Sequence, residues 1–247
     1  MTCKNCGNNF EGKFCNNCGQ KAVTQHLTIS HIMSEFIHTF THVDSGILFL
    51  IKEMFLRPGI TAKEYIDGKR KKYFNPVQYL ILTVAATTFL SVKFNLMGPN
   101  TVMSPDALSN LTEIQKISYQ HSQFIYKYFN ILLFVAVPVM AFFTRLFYGS
   151  YGYNYAEILV MNVFLAAQRT LMYILLAPFL YFFKSIWFIF IGIYYLGWII
   201  YFGWAYAQFF NQKRSTVILK YIILVLVFLP AFQCLSWGIF YLFFYHK

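Results

Sequence analysis

The sequence predicts an all-α polytopic membrane protein of about five transmembrane helices, with a small cysteine-bearing N-terminal head and an amphipathic interfacial helix ahead of the bundle. Three observations predict it. Only 12% of the 247 residues are charged while 58% are hydrophobic, against about 25% charged in a soluble domain. Apolar runs long enough to span a bilayer begin only after Pro76. Just before them stand four consecutive cations, Lys69, Arg70, Lys71 and Lys72, then the aromatics Tyr73 and Phe74, then Asn75-Pro76. Cations, aromatic belt and helix start, in that order, mark the cytoplasmic edge of a membrane. The chain therefore divides into a head (1–25), an amphipathic juxtamembrane segment with a basic hinge (26–75) and a helical bundle (76–247).

The net charge of +11 does not imply a nucleic-acid partner. Ten of the twenty Lys and Arg residues precede Pro76, and most others flank apolar runs, which is where the positive-inside rule places them. The N-terminus, MTCKNCGNNF, has no apolar h-region or cleavage site, so the head is expected to stay cytoplasmic. Abundant Phe (29) and Tyr (19) suit lipid-facing helices with interfacial anchors.

The head carries an internal repeat with a twelve-residue offset, Cys3-x2-Cys6-Gly7 and Cys15-x2-Cys18-Gly19. Each CxxC brings two thiolates to one ion, and a following glycine at positive φ lets the knuckle fold back over the sulfurs. Two knuckles make a closed tetrahedral site, which predicts a zinc ribbon with one structural Zn2+ on Cys3, Cys6, Cys15 and Cys18. A redox pair would use one CxxC on a βαβ scaffold, and an iron–sulfur cluster is the remaining use of four thiolates. So small a head has little core, and metal binding is expected to supply its folding energy.

Between head and hinge, Ile29, Ile32, Phe36, Phe40, Val43, Ile47, Ile51 and Met54 recur at helical spacing. The pattern predicts an amphipathic helix, broken near Gly46, on the membrane surface or against the bundle. His31, Glu35, His38 and His42, with Asp44 nearby, run down another face: a second polar site, or simply the hydrated side. Arg57-Pro58-Gly59 is expected to end this helix in a turn.

The apolar runs cover about 77–96, 124–147, 156–183, 186–210 and 216–244. Asn75 is the expected N-cap of the first and Ser215 of the last; Pro138 is expected to kink the second. Ser104-Pro105-Asp106 predicts a short helix in the loop after the first run. Five crossings leave fourteen Lys and Arg on the head's side against five on the other. Arg169, midway along the third run beside Gln168, is the outstanding intramembrane charge. It suggests a substrate or headgroup contact, or a guanidinium bonded within the bundle.

The head, the Arg57-Pro58-Gly59 turn, the run Tyr65-Ile66-Asp67-Gly68-Lys69-Arg70 and Tyr73-Phe74-Asn75-Pro76 together carry a resemblance. Over about residues 3–90 the chain resembles bacterial domain-of-unknown-function membrane proteins with a CxxCG…CxxCGQ head and an RPG…YIxGKRxxYxxP segment. The resemblance implies a multi-pass protein of a bacterial cytoplasmic (inner) membrane and carries no assigned activity. That pattern typically continues with an aromatic stretch and a Glu-His pair; here Glu157 is followed by Ile158.

Three functions compete. One is a non-enzymatic scaffold whose zinc head docks a cytosolic partner or its own membrane-proximal helix. Another is a small-molecule or lipid transporter or channel shaped by Pro138, Pro178, Pro230 and Arg169. The third is a lipid-acting enzyme using His31, His38, His42 and Asp44 beside the hinge. Lys69, Arg70, Lys71, Lys72 and Arg169 are the candidate contacts to anionic lipid headgroups.

Overall fold

The computed structural model describes residues 1–22, 28–29, 46–94 and 108–245. The second polar site (His31, Glu35, His38, His42, Asp44), the first part of the amphipathic helix and the 104–106 helix start lie outside the described residues. Beyond the head, the regular structure among the described residues is helical: α1 (Ile47–Leu56), α2 (Pro58–Ile66), α3 (Pro76–Phe94), α4 (Glu113–Tyr148), α5 (Tyr155–Phe182), α6 (Trp187–Phe210) and α7 (Arg214–Phe240). The last five are long and apolar enough to cross a membrane, making this a multi-pass membrane protein.

Local chemistry accounts for most boundaries. Asn75 caps α3, its Oδ1 accepting the Val77 amide at 2.9 Å, with Pro76 as the first helical residue. Asn154 and Glu157 form a reciprocal capping box at the start of α5, both bonds 2.9 Å. Glu157, the acid of the expected aromatic–Glu motif, is thus occupied with the helix end, and Ile158 beside it is fully buried. At α7 the helix begins one residue before Ser215, and neither Ser215 nor Lys213 supplies a side-chain cap.

α4 is longer than its apolar run, because a Thr112–Gln115 capping box starts it on polar sequence. Its 36 residues make about 54 Å, well beyond a hydrocarbon core of about 30 Å. The departure from helical geometry falls at Tyr128 (φ −107°, ψ 15°), not at Pro138. Tyr128 lies where the polar first half meets the apolar second half. The polar half packs on the end of α7, where His121 stacks on Trp237 at 3.8 Å and its Nε2 lies 3.2 Å from the Ser236 hydroxyl.

α5 is the central post. The most apolar stretch of α5 is 61% buried, against 22–39% in the other four spans, and α5 packs on α2, α3, α4 and α6. Tyrosines do more than anchor at the interface. Tyr79, Tyr148 and Tyr206 are fully buried, and their hydroxyls tie helices together: Tyr79 to Gln168 Oε1 at 2.5 Å, Tyr148 to the Val217 carbonyl at 2.7 Å, Tyr206 to Asn162 Oδ1 at 3.1 Å. In lipid, such bonds hold helices that hydrophobicity alone does not draw together.

α1 and α2 lie against this bundle. Leu50 and Met54 of α1 are fully buried in the main core, and the Tyr201 hydroxyl caps the end of α1 by donating to the Met54 carbonyl at 2.6 Å. Arg57 breaks the chain (φ −154°, ψ 62°) and Pro58 opens α2. Gly59 is not a turn glycine; it is helical and lies against α6. A methyl group added there would meet the Ala205 carbonyl oxygen at 2.1 Å and the Phe209 nitrogen at 2.6 Å.

Candidate metal centre and its dock on the hinge

The sequence repeat in the head is also a repeat of hydrogen bonds. Cys3 N donates to the Asn8 carbonyl (2.9 Å) and Cys15 N to the Gln20 carbonyl (2.8 Å); Gly7 N donates to Cys3 O and Gly19 N to Cys15 O at 2.9 and 2.8 Å. Single antiparallel bridges, Thr2 with Asn9 and Phe14 with Lys21, close the two knuckles. Gly7 and Gly19 adopt φ of 74° and 71°, the left-handed turn that only glycine takes without strain.

This backbone gathers the four sulfurs within 4.8 Å of one another. Cys3 Sγ lies 3.6 Å from Cys18 Sγ and Cys6 Sγ 3.7 Å from Cys15 Sγ. A disulfide needs about 2.05 Å, so these are free thiols. A tetrahedron with metal–sulfur bonds of about 2.3 Å has edges of about 3.8 Å, and the cluster fits a single ion. Cys3 and Cys15 are buried with Phe10, and that is nearly the whole core of the head. Burial resists ionisation of Cys15, but the Cys18 and Asn17 amides outweigh it and bring this thiol down to about 6.

Among the equivalent positions at which the two knuckles differ, Asn8 and Gln20 set their outward bonds apart. In the first, Asn8 turns inward and its Nδ2 donates to Asn16 Oδ1 at 2.8 Å. In the second, Gln20 is buried and its Oε1 accepts the Lys71 amide at 3.0 Å. One extra methylene turns a bond within the head into a bond to the hinge.

The hinge is itself a folded ion cluster. Glu64 of α2 is approached by Lys69 (3.3 Å), Lys72 (3.4 Å) and Arg57 (3.5 Å), and accepts a hydrogen bond from the Tyr73 hydroxyl. Arg57 also pairs with Glu53 of α1. Burial opposes the Glu64 carboxylate, yet the Tyr73 hydroxyl and the Lys69 and Lys72 ammoniums hold it at about 2. The carboxylate raises the Tyr73 hydroxyl in turn, alongside burial. Two of the four expected lipid-facing cations are therefore directed at Glu64, while the exposed Lys71 presents its backbone to the head. Periodicity gives no hint of this cluster, because Glu64 lies five residues before the first cation. Only the helix–turn geometry, with Gly68 at φ 112°, brings them together.

Arg169 is half-buried, its guanidinium 5.6 Å over the Trp198 ring. The cavities beside it measure about 60 and 50 Å³. Each has room for a few waters, well below the about 300 Å³ of a small-ligand pocket. Among the described residues no carboxylate pairs with Arg169.

A family model described as a protein of unknown function (DUF3667) matches residues 44–88. That stretch holds α1, α2, the hinge and the first part of α3; the cysteines and the later spans lie outside it. No curated protein and no solved structure matches the chain significantly.

Proposed function

We propose that this chain is a non-enzymatic membrane scaffold whose zinc-bound head is held on the basic hinge and offers its outer face to a cytosolic protein partner. The head (1–25), hinge (26–75) and bundle (76–247) act as reader, joint and anchor. The membrane is a bacterial cytoplasmic membrane with the head inside, in keeping with the cation asymmetry across the five spans. Zinc is the ion best suited to four closed thiolates, with no redox step and no open position for a substrate.

The observation that carries this reading is the Gln20–Lys71 bond, which links the second knuckle to the hinge just ahead of the first span. The water-sized cavities at Arg169 accord with a scaffold rather than a transport path, and with a guanidinium that buttresses Trp198. Lys71 and the outer faces of Lys69, Arg70 and Lys72 are the parts of the hinge that meet anionic headgroups.

Metal analysis of the purified chain tests the head: one zinc per chain is expected, and Cys15→Ser should abolish it. Finding no metal, or iron, would overturn the zinc assignment. For the scaffold, cross-linking in cells from Lys4 should give a protein adduct that disappears in Cys15→Ser while the chain stays in the membrane. An adduct that persists without metal would sink the idea.

A further inference from the structure

A groove of about 940 Å³ opens between α2, α6 and α7. Its two ends differ in chemistry. Lys63 of α2 and Arg214, the first residue of α7, line one end with Gln212. Ile200, Trp204 and Ile222 line the other, and all three are exposed on helices that span the membrane. From Asn211 to Ile199 the groove follows α6 for about 18 Å. Its depth depends on Gly203, where a methyl group would press on the Tyr221 ring at 3.2 Å.

The polar end is built for an anion. The groove lining contains no carboxylate. Among the described residues none pairs with Lys63 or Arg214. The same end coincides with the N-terminus of α7, which has no side-chain cap. The Thr216 and Val217 amides donate to the Lys213 carbonyl, which leaves those of Arg214 and Ser215 at the helix mouth, where the helix dipole adds partial positive charge. The polar end sits at the helix termini that join α6 to α7, and the apolar end lies about two to three turns further along these two spans.

We propose that this groove is a binding site for one anionic phospholipid. Its phosphate lies between Lys63, Arg214 and the start of α7, and one acyl chain runs along Ile200, Trp204 and Ile222. The ligand is a bilayer component, and its binding does not depend on the metal head.

The test is native mass spectrometry of the full chain in detergent, titrated with phosphatidylglycerol and with phosphatidylcholine of identical acyl chains. Two interfacial cations should favour the anionic lipid by about tenfold or more. The Lys63→Gln/Arg214→Gln double variant should retain both lipids equally. Lys213→Gln, which removes a neighbouring cation outside the groove, should keep the preference. As a second readout, phosphatidylglycerol should raise the melting temperature of the wild type and Lys213→Gln but not of the double variant. Equal retention by the wild type, a persisting preference in the double variant, or equal loss in Lys213→Gln would overturn the proposal. Displacement of the lipid by millimolar inorganic phosphate would also overturn it, since the site would then be one for a free ion.

Discussion

The backbone amide of Gly59 donates to the side-chain oxygen of Gln208 at 3.0 Å, across 149 residues of sequence. The bond satisfies one of the orphan donors at the start of α2. It is possible because Gly59 lets α2 approach the α6 backbone without an intervening side chain. The joint before the membrane is therefore fastened to the second-to-last span, not only to the first.

Gly59→Ala should unseat α2. The helical backbone tolerates alanine, but there is no space, so a cost of about 3 kcal/mol or more is expected. Gly192, exposed on the same helix as Gln208, has nothing within 4 Å of an added methyl. Gly192→Ala should be neutral or stabilising by up to about 1 kcal/mol. Thermal unfolding in detergent separates the two; similar melting temperatures would refute the close-approach account.

Gln20 and Asn8 offer a matched comparison inside one domain. Gln20→Ala should leave the metal bound yet speed amide exchange at Lys71, because its acceptor is gone. Asn8→Ala should leave exchange at Lys71 unchanged, since its bond stays within the head. Hydrogen exchange read by mass spectrometry is the measurement.

Glu64 predicts how the hinge responds to acid. Its carboxyl is held at about 2, below the usual 4.5. A depressed carboxyl stabilises the fold above its unfolded pKa and loses that contribution as pH falls towards the folded value. Glu64→Gln should therefore lower stability by about 2 kcal/mol at neutral pH, and the gap to wild type should close between about pH 4.5 and 2. Acid loss of metal affects both proteins alike, so the difference in melting temperature isolates Glu64. A gap that stays constant with pH would exclude the ion cluster as its source.

Arg169→Leu is expected to change stability by no more than about 1 kcal/mol. The guanidinium's contact is the Trp198 face, and leucine can cover much of that ring. A loss of several kcal/mol, measured in the same detergent, would show that Arg169 holds polar groups together instead.

The parts of this architecture legible in the sequence are those set by local pattern. The spans follow from apolar length, the α3 start from Asn75-Pro76, and the sulfur cluster from the CxxCG repeat. What escaped was long-range. The role of Gly59 depends on Ala205 and Phe209, and that of Glu64 on a left-handed Gly68. Tyrosine abundance suggests interfacial anchors in general, yet Tyr79, Tyr148 and Tyr206 serve polar groups on other helices. A hydroxyl on an aromatic ring carries no periodic signature of whether its partner is water or a distant carbonyl.

The central position of α5 bears on how the protein is made. Asn162 and Gln168 face partners on helices that flank α5 in the chain: Tyr79 is synthesised before it and Tyr206 after it. When α5 leaves the ribosome, Gln168 can already find Tyr79, but the partner of Asn162 lies more than forty residues behind. The polar side of α5 is thus incompletely matched until α6 arrives. Integration of the third and fourth spans is then best achieved as a pair, and the stage at which α5 has left the ribosome and α6 has not should be the one most dependent on the insertion machinery.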